Sequence, residues 1–84
     1  MNRDKLVQNG YEDVAVFENP SFDEALIGVS SDNRAVYDYT LMIECLMKEE
    51  GITCEEAVDW ISYNTLRSLP YQKNAPIVIH KFEE

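Results

Sequence analysis

The side chains that could act as nucleophiles, general bases or soft metal ligands are few in this chain of 84 residues. It contains one histidine, His80, and two cysteines, Cys45 and Cys54. Both cysteines fall among apolar positions of helix-like segments, where thiols are usually inert, and neither has the local signature of a catalytic cysteine. We therefore predict two buried thiols, and no zinc site, because the ligand spacing of zinc sites is missing.

The carboxylates are so numerous that a pair of them is weak support for acid–base catalysis. Asp38, between Tyr37 and Tyr39, is the most suggestive, but a helix cap explains it better. The Ser-Asp-Asn segment at 31–33 lacks the spacing and the terminal bidentate acid of a calcium loop. The three glycines stand apart, at Gly10, Gly28 and Gly51. They cannot form a phosphate-binding loop. Together with the cysteines, the histidine and the carboxylates, this predicts no enzyme, no cofactor and no metal.

The first half of the chain predicts a short helix followed by a three-strand meander. Residues 3–9 form the helix, which Gly10 stops. The β-branched, apolar run at 13–17 predicts the first strand. A hairpin follows, in which 25–29 and 34–38 flank a turn-forming Ser-Ser-Asp-Asn segment.

The second half predicts a helical hairpin and a last strand. Apolar residues recur from Tyr39 at the spacing of an amphipathic helix, which Gly51 ends. Residues 53–56 then supply a capping box that starts a second helix. Pro70 stops this helix at the residue before it. The β-branched segment 76–82 predicts a C-terminal strand.

These elements predict one α+β domain over residues 1–84. Its sheet is small and mostly antiparallel, built from the three-strand meander and the C-terminal strand, and the helical hairpin packs on one face. No apolar run approaches the roughly 18 residues that a membrane-spanning helix needs, and the first residues lack the apolar stretch of a signal peptide. We therefore predict a soluble, cytoplasmic protein.

Charge is the most unusual property of the composition. Asp and Glu number 16 against 7 Lys and Arg, which gives a formal net charge of −9. Such a surface repels phosphate backbones and anionic lipids, so we predict no direct binding to nucleic acid or to membranes. It would attract a basic protein surface instead.

Six acids cluster around the predicted turn between the two helices. They are Glu44, Glu49, Glu50, Glu55, Glu56 and Asp59, and we call them the acidic knob. Glu55 and Glu56 are in a first helical turn, where the helix dipole favours negative charge. Glu49 and Glu50 are in a last turn, where negative charge costs a few tenths of a kcal/mol each. This favours charge kept for recognition, while a solvated surface that serves solubility is the alternative explanation.

A second candidate surface is aromatic and lies near the end of the second helix. It consists of Tyr63, Leu66, Arg67 and Tyr71, and we call it the aromatic patch. These side chains could anchor a partner or form a homodimer interface. Packing in the core is the alternative.

Four segments form a distinctive set. They are Phe-Glu-Asn-Pro at 17–20, Arg-Ala-Val-Tyr-Asp-Tyr at 34–39, Glu-Glu-Ala at 55–57 and Tyr-Asn-Thr-Leu-Arg-Ser-Leu-Pro-Tyr at 63–71. Together they resemble a group of short uncharacterised proteins of Gram-positive bacteria, their phages and other mobile elements. The resemblance brings no established activity. It implies a context in which small acidic proteins, such as anti-CRISPR and anti-restriction proteins, inhibit host defence by binding basic nucleic-acid grooves.

The leading prediction is therefore a small acidic inhibitor or adaptor that mimics DNA. Its acidic knob would bind a basic protein surface, such as that of a nucleic-acid-binding enzyme. The alternative is a housekeeping or regulatory module that forms a homodimer through the aromatic patch. Salt separates the two, because screening weakens binding by charge far more than binding by apolar contact.

Overall fold

The fold combines three α-helices with a three-stranded sheet in the part of the chain that the structure describes. The computed structural model describes residues 2–18 and 20–82, without the side chains of Arg3, Ser68 and Tyr71. In chain order, the elements are α1 (Asn2–Gln8), a 3₁₀ turn (Asp23–Ala25), β1 (Leu26–Val29), β2 (Ala35–Asp38), α2 (Tyr39–Glu50), α3 (Cys54–Asn64), a 3₁₀ helix (Leu66–Tyr71) and β3 (Ile77–Ile79). The predicted α+β class is confirmed.

The sheet is mixed, with β2 between β1 and β3. The predicted hairpin forms, and β1 pairs antiparallel with β2 through Leu26↔Tyr37 and Val29↔Ala35, with a bulge between Leu26 and Gly28. The predicted C-terminal strand also forms, but it is shorter and pairs parallel with β2. The parallel direction follows from the connection, because α2 and α3 carry the chain back across the sheet before β3 begins.

The segment 13–17, which we predicted to be a strand, lies outside the sheet. Instead of joining a ladder, the backbone N–H of Phe17 donates to the Tyr37 hydroxyl oxygen at 3.2 Å. The Phe17 ring packs on the Tyr37 ring with 4.6 Å between centroids. Val14 and Val16 also pack against the core. The apolar run therefore reflects burial of side chains rather than strand pairing.

The helical hairpin forms where it was predicted because each helix carries its own terminal signals. The Asp38 side chain accepts a hydrogen bond from the Leu41 N–H at 3.2 Å and caps α2. Gly51 ends α2 with φ 65°, a left-handed conformation that favours glycine. Thr53 and Glu56 form the predicted capping box of α3, since each side chain accepts the other's backbone N–H at 3.1–3.2 Å.

The second helix is shorter than predicted. It ends at Asn64 instead of just before Pro70, and the chain continues as the 3₁₀ helix Leu66–Tyr71, which contains Pro70. Proline disfavours the α conformation in the residue before it, and short 3₁₀ segments are common where helices end.

The core lies between the sheet and the helical hairpin. Its largest fully buried side chains are Tyr37, Phe22, Met42, Leu46 and Ile61. Cys45 is buried with them, as predicted, but the prediction for Cys54 is wrong, because that residue is exposed. Cys54 is the first residue of α3, one turn before the buried Ala57, so it extends past the packed part of the helix. None of the helices that the described residues form combines the length and apolar character that crossing a bilayer requires.

Candidate interaction surface

Two of the residues considered for catalysis, Asp38 and His80, contact neighbouring side chains. Asp38 is only 5% exposed, caps α2 and lies 3.8 Å from the Lys81 ammonium nitrogen. The His80 ring packs on Tyr39, with 4.4 Å between ring centroids. Burial raises the pKa of the Cys45 thiol above its ordinary value of 9.0. Among the residues that the structure describes, no three His, Cys, Asp or Glu side chains are grouped to hold a metal ion.

The acidic knob is exposed to solvent. All six of its carboxylates belong to exposed residues, three on α2 and three on α3, on either side of Gly51. Within the described ranges, none of them forms a salt bridge. Lys48 is the one base between them in sequence. Its ammonium nitrogen lies 3.9 Å from a carboxylate oxygen of Glu24, which is outside the knob.

The knob is divided between surfaces rather than gathered on one face. Glu49 lines a small depression with Cys45 and Glu24 beside the 3₁₀ turn before β1. Glu56 and Asp59 instead line a depression on the outer side of α3. A partner that contacted every acid of the knob would therefore have to wrap around the end of the helical hairpin.

The aromatic patch is only partly exposed. The Tyr63 side chain is 70% exposed, and Arg67 is also exposed. Leu66 is half-buried and packs against the core. The Tyr71 side chain lies outside the described part of the structure. Tyr63 is therefore the aromatic residue of the patch that the structure places on the surface.

One face of α3 joins members of both predicted surfaces. Glu56, Asp59 and Tyr63 lie at positions i, i+3 and i+7 of the helix, so they project from the same side. They belong to a shallow, open depression of about 370 Å³, which we call the α3 groove and which is lined by Ile52, Glu56, Asp59, Trp60, Tyr63 and Asn64. Ile52 and Trp60 were not predicted to be surface residues. The helical spacing of Glu56, Asp59, Trp60 and Tyr63 was the signal that could have joined them.

Trp60 connects this groove with the core. It is half-buried, packs against the core, and its ring lies 6.4 Å from the Phe22 ring in an edge-to-face arrangement. The Asn64 side-chain amide donates to the Trp60 carbonyl oxygen at 3.0 Å. A second depression, of about 320 Å³, continues on the other side of Trp60 and Asn64 and includes Phe17 and Pro20.

A further groove, of about 490 Å³, lies between α1 and the edge strand β1. Its apolar lining includes Leu6, Tyr11 and Ile27. The Asn2 side-chain amide donates to the Leu26 carbonyl oxygen at 3.0 Å, so α1 covers part of the strand edge.

No known protein family, curated protein or solved structure matched the chain when it was compared with each of these. The resemblance to short proteins of Gram-positive bacteria and their phages therefore stays a prediction, and the proposed function rests on the surfaces described above.

Proposed function

We propose that this protein is a small cytoplasmic binding protein whose acidic knob occupies a basic surface of a partner protein, without catalysis. The observation that carries the proposal is the knob itself, six exposed carboxylates around Gly51 that form no salt bridge within the described residues. The partner is a nucleic-acid-binding enzyme, because surfaces that bind phosphate backbones gather the Lys and Arg that such a knob would match.

The positions of Glu49 and Glu50 support a recognition role over a purely solubilising one. Both lie in the last turn of α2, where their charge opposes the helix dipole. Acids elsewhere on the surface would raise solubility without this cost. Contact between the partner and the end of the helical hairpin would explain why Glu49 and Glu50 are at this position.

The biological role that we propose is inhibition. A protein that fills a nucleic-acid groove with carboxylates excludes DNA or RNA from it, as a DNA mimic does. The resemblance to proteins of phages and mobile elements supports a role against host defence, of the anti-CRISPR or anti-restriction kind.

Capture from a lysate of a Gram-positive bacterium, with duplex DNA as competitor, tests the proposal. The immobilised wild-type chain should retain nucleic-acid-binding proteins at low salt, and either duplex DNA or about 0.5 M salt should release them. Glu49→Lys/Glu50→Lys should lose most of this capture.

The matched control is Glu12→Lys/Asp13→Lys. These two acids are exposed and lie outside the knob, and each double variant changes the net charge from −9 to −5. Capture should survive in the control. Equal loss in both variants, or retained proteins that duplex DNA fails to release, would contradict the proposal.

The alternative function is a homodimeric interaction module that uses the aromatic patch. The 70% exposure of Tyr63 favours it, because large exposed aromatic side chains are common anchors of interfaces. This reading requires a dimer and little dependence on salt.

A further inference from the structure

The α3 groove combines negative charge with aromatic surface in one small depression. Glu56 and Asp59 are exposed, and Tyr63 is 70% exposed. Trp60 lines the same depression, is half-buried and packs on the core. Carboxylates and aromatic residues therefore lie together on this side of α3.

The two carboxylates are available to a ligand. One oxygen of Glu56 accepts the Thr53 N–H at 3.1 Å, which fixes the side chain and leaves further acceptor capacity, because an ionised carboxylate has about four lone-pair sites. Asp59 forms no salt bridge within the described ranges. A cationic group that entered the groove would therefore meet acceptors that no lysine or arginine of the described chain already occupies.

The chemistry of the groove selects one type of cation. A guanidinium group is planar, stays charged at all physiological pH values, stacks on aromatic rings and donates hydrogen bonds to carboxylates in a fixed fork. An ammonium group matches the charge but stacks poorly, and a neutral amide matches neither requirement.

We propose that the α3 groove binds an arginine side chain of the partner protein. Glu56 and Asp59 pair with the guanidinium, and the rings of Trp60 and Tyr63 stack on it. The adjoining depression beside Phe17 and Pro20 gives room for the residue next to that arginine. This inference rests on the proposed function, since it takes the partner to be a basic protein.

Trp60 makes the test direct, because it is the one tryptophan of the chain and its fluorescence reports on the groove. The full chain is titrated with three blocked Gly/Ser peptides of equal length that carry two arginines, two lysines or two glutamines. The arginine peptide should change the emission in a saturable way. The lysine peptide should bind about three- to tenfold more weakly, and the glutamine peptide should leave the emission unchanged.

Two matched variants locate the binding. Glu56→Gln/Asp59→Asn and Glu12→Gln/Asp13→Asn each change the net charge from −9 to −7, but only the first pair lines the groove. Glutamine at 56 keeps an oxygen for the Thr53 N–H, so the capping box survives. We expect the first variant and Tyr63→Ala to weaken the arginine peptide about fivefold or more, and the second variant to bind like the wild type. Circular dichroism verifies that all three remain folded.

Equal affinity for the arginine and lysine peptides overturns the proposal, and so does equal weakening by the two double variants. Both results would indicate general attraction by charge, which is compatible with the acidic knob as a binding surface. Failure of every peptide to bind also overturns it, while the capture experiment still decides on the knob. Conversely, normal binding of the arginine peptide with no DNA-sensitive capture would keep the groove and reject the proposed function.

Discussion

Cys45 and Cys54 are the same residue type in neighbouring helices, yet their surroundings are opposite. Cys45 is buried, and burial raises the pKa of its thiol above 9.0, with the negative charges of Glu24 and Glu49 raising it further. Cys54 is exposed at the first position of α3. Reactivity should therefore differ between the two thiols by far more than their sequence contexts suggest.

We expect a thiol reagent such as Ellman's reagent to label one cysteine in the native protein at pH 8 and two in denaturant. Cys54→Ser should remove the native labelling, and Cys45→Ala should leave it unchanged.

Because the folded-state pKa of Cys45 is raised, folding favours the neutral thiol. Its contribution to stability is therefore present below pH 9 and is lost as pH rises through the folded pKa. Urea unfolding between pH 8 and pH 10 measures this loss of stability. A native Cys45 that reacts as fast as a denatured one would contradict the burial of its thiol.

Cys54 also shows where helical spacing misleads. Cys54 precedes Ala57 and Ile61 on the apolar side of α3, and the spacing alone predicts that all three are buried. Burial needs a neighbour as well as a direction. The structure leaves Cys54 exposed at the start of α3 and buries Ala57 and Ile61.

Gly51 and Gly28 occupy positions with different backbone requirements. Apart from its chain neighbours, a Cβ atom at either position would meet no heavy atom of the described residues within 4 Å. Gly51 ends α2 with φ 65°, whereas Gly28 lies inside β1 and does not have a positive φ. Steric crowding is therefore equal, and the backbone conformation decides the effect of a substitution.

We expect Gly51→Ala to lower the free energy of unfolding by about 1 kcal/mol, because L-residues pay that much in the left-handed conformation. Gly28→Ala should raise it by about 0.5 kcal/mol, because alanine restricts the unfolded chain more than glycine does. Urea denaturation of both variants measures the difference. Equal effects of the two substitutions would mean that the end of α2 relaxes to another conformation.

The elements that were predictable from the sequence are those whose signals are local. Asp38, Gly51 and the Thr53 capping box each act within a few residues, and both helices begin at the predicted places. The strand predicted at 13–17 fails because strand pairing needs a partner that the local pattern does not specify. The same limit explains why the parallel pairing of β3 with β2 was not foreseen.

The net charge of −9 opposes self-association of the protein. Two copies repel each other at low ionic strength, and this repulsion is screened within about 10 Å at 0.1 M salt. A dimer through Tyr63 would have to overcome the charges of Glu56 and Asp59 on the same face of α3. The leading function therefore predicts a monomer.

Sedimentation of the wild type at high concentration, in about 50 mM and about 500 mM salt, tests this prediction. We expect a monomer in both. A dimer that Tyr63→Ser converts to a monomer would favour the homodimer alternative instead. Tyr63 is exposed, so the substitution should not disturb folding, and the melting temperature of the variant provides the control.

The candidate site was predictable in composition but not in arrangement. The six acids and Tyr63 were identified from the sequence as two separate surfaces. Their junction on α3 depends on Ile52 and Trp60, which the fold places beside them. Apolar residues that line a surface depression have no sequence signature that separates them from core residues.

The central position of β2 determines the order in which the sheet can assemble. β1 is its neighbour in sequence, and a hairpin of this kind closes within microseconds. β3 arrives only after both helices, and the hydrogen bond from the Arg34 side chain to the Ala75 carbonyl oxygen, at 2.7 Å, spans 41 positions. Closing so long a loop is entropically costly and slow. During folding, β2 therefore spends time with one side unpaired, and that transient edge is where newly made chains of this protein would aggregate first.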